Sequence, residues 1–341
     1  MLKHSESEYI FANAYIGSFV SRLMTGRDIR RVAASRDLAG AALILHEFGY
    51  EDGYEDDKYL HEGAVEPFLR RERNDLYKEV FSVLPDRRAL AFNLLPYDYG
   101  NLKICLKAEQ LGTMPERQRG FMSEAGTIAP AALIALVQDR SYDRMPVEMA
   151  QGIREALDIF ARSHDPQSID LALDRACCRH MLEEARETQD TFLIDYVKMQ
   201  MDAVNLSAWM RLREMGRPWS ALRDVFVEGA HITLPMLTAG YEEPASRMAE
   251  RLAPFGFGEA VAEGGQMLKE SGSMAAFERL RDDAVMQYVK RAKFESFGIH
   301  PIQGYLYAKE TEIANLRVAL SGILFGFTSA EIEERLKESY V

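Results

Sequence analysis

Few side chains in this sequence have both the type and the spacing that catalysis requires. Gly256-Phe257-Gly258 is a partial phosphate-loop pattern, but no strand pattern precedes it, the third glycine is misplaced, and no Gly-Lys pair occurs in the chain. His46-Glu47 and His61-Glu62 begin like a zinc-protease helix, yet neither has a second histidine four residues on. No Gly-x-Ser-x-Gly elbow is present. The sequence therefore predicts no catalytic and no cofactor-binding residues.

The thiol and acidic clusters give no firm metal site. Cys177-Cys178-Arg179-His180 contains soft ligands, but adjacent residues point about 100° apart on a helix and no second pair exists. We interpret them as core thiols beside a surface histidine. The acidic tract at 51–57 lacks the ligand periodicity of a calcium loop and is predicted to be a solvated turn. The only other cysteine is Cys105, so no disulfide framework forms, which is typical of a reducing compartment.

Composition and charge describe a globular chain and exclude several classes of partner. The 341 residues are 47% hydrophobic and 28% charged, which is enough to bury a sizeable core. The net charge of -12 argues against nucleic-acid binding and against a basic membrane-surface patch. The longest uncharged runs, 126–138 and 229–241, each contain a proline and are too short to span a bilayer. The first residues lack the pattern of a secretory signal, and we expect a cytoplasmic protein.

Helical periodicity runs through the chain, whereas the alternating patterns of strands are scarce, so the predicted class is all-α. The longer predicted helices span 9–24, 65–84, 86–111 with a disturbance at Pro96, 146–163, 168–212 with a bend at Asp190, 218–230, 257–270 and 273–297. After Pro301 a long amphipathic helix needs a partner surface. Gly326 is its expected stop, Ser329 the expected cap of the next element, and 330–337 a second short helix.

One pattern of acid, asparagine and glycine occurs three times in the chain. In each copy an acid lies three residues before an Asn-Leu pair, and a glycine lies eleven residues after the asparagine. The repeated positions are Asp98, Asn101 and Gly112, then Asp202, Asn205 and Gly216, and finally Glu312, Asn315 and Gly326. A fainter fourth echo contains Asn13. A unit of helix, glycine stop and second helix is therefore used repeatedly.

The repeat predicts how the chain is divided. We expect helical subdomains at 1–97, 98–201 and 202–311, and a closing half unit at 312–341 that packs with the first. A pseudo-threefold arrangement is favoured over an open solenoid, because an open array should end in visibly polar caps.

The three asparagines require a physical reason, because asparagine inside a helix competes for backbone hydrogen bonds. Our hypothesis is a repeated bond between units, in which each asparagine satisfies the backbone of a neighbouring helix. The acid three residues earlier would then meet an Arg or Lys across the interface. The alternative is that these are ordinary exposed polar positions.

The C-terminal segment resembles a known family. Gly304-Tyr305-Leu306-Tyr307-Ala308-Lys309-Glu310, the run from Glu312 to Arg317, Leu320-Ser321-Gly322, and the residues from Ile332 to Val341 are similar to the C-terminus of the C subunit of archaeal and bacterial A/V-type ATPases, the relative of the eukaryotic d subunit. The likeness is dense over these forty or so residues, moderate over the first fifty, and weak between them except at the repeats. Ile323 departs from the family, which often has a lysine there.

The resemblance implies a funnel of three helical subdomains without catalytic groups. It implies a central-stalk component at the cytoplasmic face of the membrane, which receives the shaft formed by the D and F subunits and sits on the rotor ring of proteolipid c/K subunits. Such a component couples ATP hydrolysis or synthesis to ion transport, with protons and sodium both open. The alternatives are a generic helical-repeat adaptor and a metal-dependent helical enzyme.

Overall fold

The computed structural model describes residues 6–50 and 60–341, and within these ranges it contains helices and loops but no strand. The predicted all-α class is confirmed. The acidic tract at 51–57 lies outside the described residues. The α-helices are α1 Ile10–Val20, α2 Gly26–Ala33, α3 Leu38–Glu47, α4 Val65–Val83, α5 Leu95–Gln110, α6 Pro130–Gln138, α7 Val147–Ser163, α8 Pro166–Glu187, α9 Thr191–Glu214, α10 Leu222–Val225, α11 Leu234–Ala239, α12 Ala245–Leu252, α13 Gly265–Ser271, α14 Ala275–Val289, α15 His300–Leu324 and α16 Ser329–Glu333.

One compact unit spans Asp86–Tyr241 and contains α5 to α11. Its core is built by α5, α7, α8 and α9, and Tyr99, Leu106 and Trp209 are almost completely buried in it. Helices α7 and α8 pack closely because Gly152 has no side chain; a Cβ there would lie 2.5 Å from that of Ala176. This unit carries two of the three repeats, on α5 and α9.

The other compact unit joins the described residues before Asp86 with Glu242–Val341. Its centre is α15, which packs against α1, α2, α3 and α4 from the N-terminal part of the chain and against α14 and α16 from the C-terminal part. The predicted partner surface is thus supplied by both ends of the sequence. Two glycines of α15 make room for the C-terminal segment: a Cβ on Gly304 would lie 2.7 Å from the Tyr340 hydroxyl, and one on Gly322 would overlap Ile332.

Most predicted helices are present, with shifted ends. Pro96 lies in the first turn of α5, where its missing N–H has no intrahelical partner to lose. Asp190 caps α9, so the predicted run of 168–212 is two helices. Thr328, not Ser329, is the cap of α16, and its hydroxyl forms a capping box with Glu331.

Two helices predicted after the repeated glycines are wrong in length. The one predicted at 218–230 ends with α10 at Val225, and the one predicted at 330–337 ends with α16 at Glu333. In both places the backbone a few residues later is hydrogen-bonded to the side chain of an asparagine in the preceding long helix. In a continuing helix the same backbone groups would be bonded within the helix and could not bind the asparagine.

Candidate functional site

Each repeated asparagine holds one residue of the returning chain by two hydrogen bonds. Its Nδ2 donates to the carbonyl, and its Oδ1 accepts from the amide, of the residue 22 positions later. The pairs are Asn101 with Ser123 (2.9 and 2.9 Å), Asn205 with Val227 (2.8 and 2.8 Å) and Asn315 with Lys337 (2.9 and 2.8 Å). We call this pair of bonds the asparagine clamp.

The clamp corrects both interpretations of the asparagines. All three are buried, with at most 2% of their surface exposed, so they are not ordinary exposed polar positions. The bonds also join residues of the same repeat, so the predicted bond between units is wrong. The physical reason is local: the second helix brings the chain back beside the long helix, where its backbone needs a partner. Asn13 makes no such clamp, because its Nδ2 donates to Tyr9 and Gly298 and its Oδ1 has no partner among the described residues.

The repeated acids hold the backbone that enters the next short helix. Asp98 accepts from the amides of Thr127 and Ile128 (2.9 and 3.0 Å) and from the Thr127 hydroxyl (2.6 Å). These residues lie directly before Ala129, the N-cap of α6. Asp202 accepts from the amides of His231 and Ile232 (3.3 and 2.8 Å), which lie directly before the N-cap of α11.

Glu312 likewise holds the backbone that enters a short helix, α2, but this helix lies near the other end of the chain. Its carboxylate accepts from the amide of Met24 (2.5 Å), which lies directly before Thr25, the N-cap of α2. The Tyr50 hydroxyl (2.5 Å) and Lys309 Nζ (2.6 Å) complete the site. The predicted ion pair across an interface is wrong: Lys309 lies one turn earlier on the same helix, while Asp98 and Asp202 bind mainly backbone amides.

The surroundings of the repeated acids shift the pKa values of Asp98 and of His231. Burial raises the pKa of Asp98, while its hydrogen bonds to Thr127 and Ile128 lower it. His231 stands where the other repeat has Thr127, and its Nδ1 lies 2.9 Å from Asp202. That hydrogen bond, and a second contact of 3.2 Å from Nε2 to Asp195, raise the pKa of His231 above its ordinary value. Asp98 and Asp202 thus position the backbone through hydrogen bonds to its amides.

The repeated glycines end the long helices by one geometry. Gly112, Gly216 and Gly326 have φ values of 67°, 63° and 72°, a left-handed conformation that glycine adopts without steric cost. Each is followed by an amide that bonds the carbonyl five residues earlier, as Thr113 does to Ala108, which completes a Schellman motif. The predicted stops are confirmed at all three helix ends.

A surface feature that the sequence reasoning missed lies at these same ends. The residue before each glycine is large, apolar and exposed: Leu111 is 69%, Met215 71% and Phe325 75% exposed. A second exposed apolar residue comes soon after each glycine, namely Met114, Trp219 and Phe327. We call these three pairs the apolar turns. The signal was present in the sequence, since an apolar residue stands ten positions after every repeated asparagine.

The cysteines and His180 serve the core. Burial raises the pKa of Cys105 and of Cys178 to about 12, so neither thiol is reactive at neutral pH. His180 was predicted at the surface, but it is 3% exposed and lies 3.3 Å from the Tyr99 hydroxyl. The reason for the error is that α8 is covered on more than one side, by α5 and α7 as well as α9.

The remaining candidate motifs are structural. Gly256 is left-handed with φ 85°, and a Cβ on Gly258 would lie 2.9 Å from the Ala249 carbonyl oxygen, so these glycines serve a turn and a close approach of backbone. Across residues 6–50 and 60–341, no group of three His, Cys, Asp or Glu side chains is arranged to hold a metal ion. In the same ranges no helix combines the length and hydropathy needed to cross a bilayer.

These features define an all-helical protein in which one helix–glycine–helix unit recurs and buried polar groups fix the backbone. The chain belongs to the ATP synthase (C/AC39) subunit family, whose model matches residues 12–335. It is similar to the C subunit of the A-type ATP synthase of Methanothermobacter thermautotrophicus, with 24% identity over 96% of this chain and 87% of that protein. The C subunit of the V-type sodium ATPase of Enterococcus hirae is 22% identical over 83% of this chain and 85% of its own length. The C subunit of the A-type ATP synthase of Methanocaldococcus jannaschii is 22% identical over 96% and 86%.

Proposed function

We propose that this chain is the non-catalytic central-stalk component of an A/V-type rotary ATPase. In this role it links the central shaft of D and F subunits to the membrane rotor ring of proteolipid c/K subunits, at the cytoplasmic face of the membrane. It couples ATP hydrolysis or synthesis to proton or sodium transport by transmitting rotation. The names of the relatives support membership in such a complex, since they are C subunits of A-type ATP synthases and of a V-type sodium ATPase.

The apolar turns carry the proposal. Exposed large apolar residues are costly to keep in water and commonly mark interaction sites when they cluster. Here the same position is apolar and exposed in every repeat, at Leu111, Met215 and Phe325. A partner made of identical copies, such as a rotor ring, offers equivalent surfaces to equivalent residues. A single asymmetric partner gives no reason to repeat the contact.

The buried polar groups suit a part that transmits torque. Asp98, Asp202 and Glu312 each fix the entry of a short helix, and the asparagine clamps fix the backbone at Ser123, Val227 and Lys337, where the chain returns beside each long helix. Such fully satisfied networks make a core rigid and specify one arrangement. The proposed pseudo-threefold funnel of segments 1–97, 98–201 and 202–311, closed by 312–341, belongs to the same hypothesis. An experimental structure of the assembled complex tests it: α5, α9 and α15 should be related by successive rotations of roughly 120°.

The functional test uses a complex reconstituted without this chain. We expect its head and shaft to hydrolyse ATP without pumping ions, and the added wild-type protein to restore ATP-driven transport. A triple variant of the apolar turns, Leu111→Glu, Met215→Glu and Phe325→Glu, should fold but fail to restore transport. It should bind ring-bearing membranes at least about tenfold more weakly, because hot-spot residues commonly contribute more than 1 kcal/mol each.

A matched control separates this effect from general surface charge. Leu43 is 72% exposed on α3 and belongs to none of the three turns, and Leu43→Glu should restore transport like the wild type. Full rescue by the triple variant would refute the role of the turns. A wild-type protein that binds neither shaft nor ring would favour the alternative of a helical-repeat adaptor.

A further inference from the structure

His231 lies between two carboxylates of α9. Its Nδ1 is 2.9 Å from Oδ2 of Asp202, and its Nε2 is 3.2 Å from Oδ1 of Asp195. Asp195 and Asp202 are seven residues apart, which places them on one face of α9, about two turns from each other. An ionised carboxylate only accepts hydrogen bonds, so both contacts are hydrogen bonds only when both ring nitrogens carry a hydrogen. The geometry therefore fits the imidazolium form of His231.

The surroundings of His231 favour this protonated form. The charged residues beside the imidazole are Asp195, Lys198 and Asp202 on α9 and the exposed Glu228 on its own segment. Helix α8 contributes Leu182, which lies against Gly229, and α11 carries no charged residue. The hydrogen bond to Asp202 is the largest cause that acts on the pKa of His231, and it raises this pKa against the opposing effect of burial. When the pH rises through that pKa, one ring nitrogen loses its hydrogen and one of the two hydrogen bonds is lost.

The acid sites of the other two repeats are built from different groups. Asp98 accepts from the hydroxyl of Thr127, which stands at the position of the histidine. Glu312 binds the Tyr50 hydroxyl and the Lys309 amine. Tyrosine and lysine ordinarily change charge near pH 10, and threonine does not titrate. Among the contacts of the three acid sites in the described part of the chain, only those of α9 include a histidine, whose ordinary pKa lies near neutral pH.

The backbone that this site holds leads to the apolar turn of the same repeat. It enters α11, which is only six residues long. The Leu237 carbonyl of α11 accepts from Trp209 Nε1 at 3.1 Å, and just after α11 the Tyr241 hydroxyl donates to the carbonyl of Arg217 at 2.9 Å. Arg217 lies between the two residues of the second apolar turn. The site of His231 is therefore connected to that turn through one short helix and its side-chain hydrogen bonds.

The first repeat differs at both of these connecting positions. Val137 stands where the second repeat has Tyr241, 36 residues after the asparagine, and a valine has no hydroxyl to donate. Cys105 stands where the second repeat has Trp209, and it offers a thiol in place of the indole N–H. The histidine and the two connecting hydrogen bonds thus occur together in the second repeat.

We propose that His231 is a pH switch, which holds α11 and the second apolar turn in place when it is protonated and releases them when it is neutral. The inference rests on the proposed function, because this turn is one of the three assigned to the ring. The folded-state pKa of His231 is raised, so the site is closed below the unfolded value of about 6.5 and opens as the pH rises through the folded value. Binding to the ring should therefore weaken as the pH rises.

Intrinsic fluorescence of the purified full-length protein tests the switch. Trp209 and Trp219 are the two tryptophans of the chain, and both lie in the second repeat. We expect their emission and its quenching by acrylamide to follow a one-proton titration with a midpoint above about 6.5. His231→Thr, which copies Thr127, should abolish this titration. His46 is exposed on α3, and His46→Gln is the matched control that should keep it.

Hydrogen exchange tests the size of the opening. If one proton controls the site, each pH unit by which the midpoint exceeds about 6.5 corresponds to an about tenfold change in the opening equilibrium between low and high pH. Protection factors, corrected for the intrinsic effect of pH on exchange, should show that change at 231–241 and no change at the matching residues 127–137. Asp195→Asn removes one charge at a side chain that is 44% exposed and should lower the midpoint without abolishing the titration.

The effect on the turn is measured with membrane vesicles that carry the ring but lack the soluble head and shaft. The wild-type protein should bind them more weakly at pH 8.5 than at pH 6, by at most the factor found by hydrogen exchange. His231→Thr should bind them equally at both pH values. Tyr241→Phe removes the hydroxyl that bonds Arg217, so its binding should lose the pH dependence while the exchange of 231–232 keeps it.

Several results would overturn the inference. Fluorescence that is independent of pH, or a titration that survives in His231→Thr, shows that His231 is not the switch. Exchange that changes as much at 127–137 as at 231–241 indicates a response of the whole unit. The same pH dependence of vesicle binding in the wild type and in Tyr241→Phe rejects the connection to the turn. Failure of the proposed function is distinct, because the wild type would then bind the vesicles at neither pH while its fluorescence still titrates.

Discussion

The acid sites of α9 and α15 have the same geometry but opposite positions in the chain. Asp202 on α9 binds the amide of Ile232, 30 residues later, where the chain enters α11. Glu312 on α15 binds the amide of Met24, 288 residues earlier, where the chain enters α2. Asp98 on α5 follows the pattern of Asp202. The last long helix therefore supplies to the N-terminal segment what α5 and α9 supply to the segments that come after them.

The same structural unit can therefore be assembled from consecutive residues or from residues at the two ends of the chain. In the first two cases helix, clamp and short helix are consecutive, so they can form locally. In the third, the clamp of Asn315 on Lys337 is local, but the bond of Glu312 to Met24 can form only after the two ends of the chain have come together. Contacts between distant residues carry a larger loop-closure cost and are expected to form late in folding.

The largest effects are expected from removing the acids. Glu312→Ala and Asp98→Ala should each lower the free energy of unfolding by about 3–5 kcal/mol, because buried donors lose their charged acceptor. Hydrogen exchange should separate the two: Glu312→Ala should expose the amides of 24–25, and Asp98→Ala those of 127–128. The exposed ion-pair residue Glu66 is the control, and Glu66→Ala should cost less than about 1 kcal/mol. If Glu312→Ala raises hydrogen exchange only in residues after 326, then Glu312 does not hold the N-terminal segment as proposed.

The asparagine clamps should contribute less and should differ at the chain end. Asn315→Ala removes two buried hydrogen bonds and should cost about 2–3 kcal/mol. It should also make the last residues sensitive to carboxypeptidase. Asn205→Ala should cost a similar amount without exposing a cleavage site at Val227, because Asp202 still holds the chain at 231–232. Equal protection of the C-terminus in wild type and Asn315→Ala would contradict the clamp.

A packing change tests the acid site of α5 without altering any charge. A Cβ on Gly126 would overlap the Asp98 carboxylate, so Gly126→Ala should destabilise by about 1–3 kcal/mol. Gly100 on the same helix has open space around it, and Gly100→Ala should stabilise by about 0.5–1 kcal/mol, as alanine favours helix. Chemical denaturation of both variants checks the signs, which must be opposite.

The smallest effect concerns the one repeat in which a histidine replaces a threonine. The folded-state pKa of His231 is raised, so its stabilising contribution is full below its unfolded pKa of about 6.5 and is lost as pH rises through the folded value. Asp202, Asp195 and the nearby Lys198 face it. His231→Thr, which copies Thr127, should therefore be less stable than wild type at pH 6 and closer to it at pH 8.5. A difference that does not change with pH would reject a protonated His231 in this site.

Much of the fold was readable from the sequence because helical patterns are local. The all-α class, the glycine stops and the repeated register follow from residue types a few positions apart, and Gly112, Gly216 and Gly326 end helices as predicted. The boundaries of the predicted subdomains stay a prediction. The asparagine bonds were predicted between units and proved to lie within them, since spacing gives the position of a side chain but not the backbone that returns to it.

The helices and their glycine ends can be predicted from the sequence alone, since helix periodicity and the left-handed turn at glycine depend on neighbours in the chain. Tertiary structure alone decided that Glu312 would bind Met24, that His180 would be buried, and that Leu111, Met215 and Phe325 would be exposed. An apolar residue at the end of a helix is equally compatible with a core and with a surface. Which of the two it occupies depends on the other elements that pack around it, and those are brought together by residues distant in sequence.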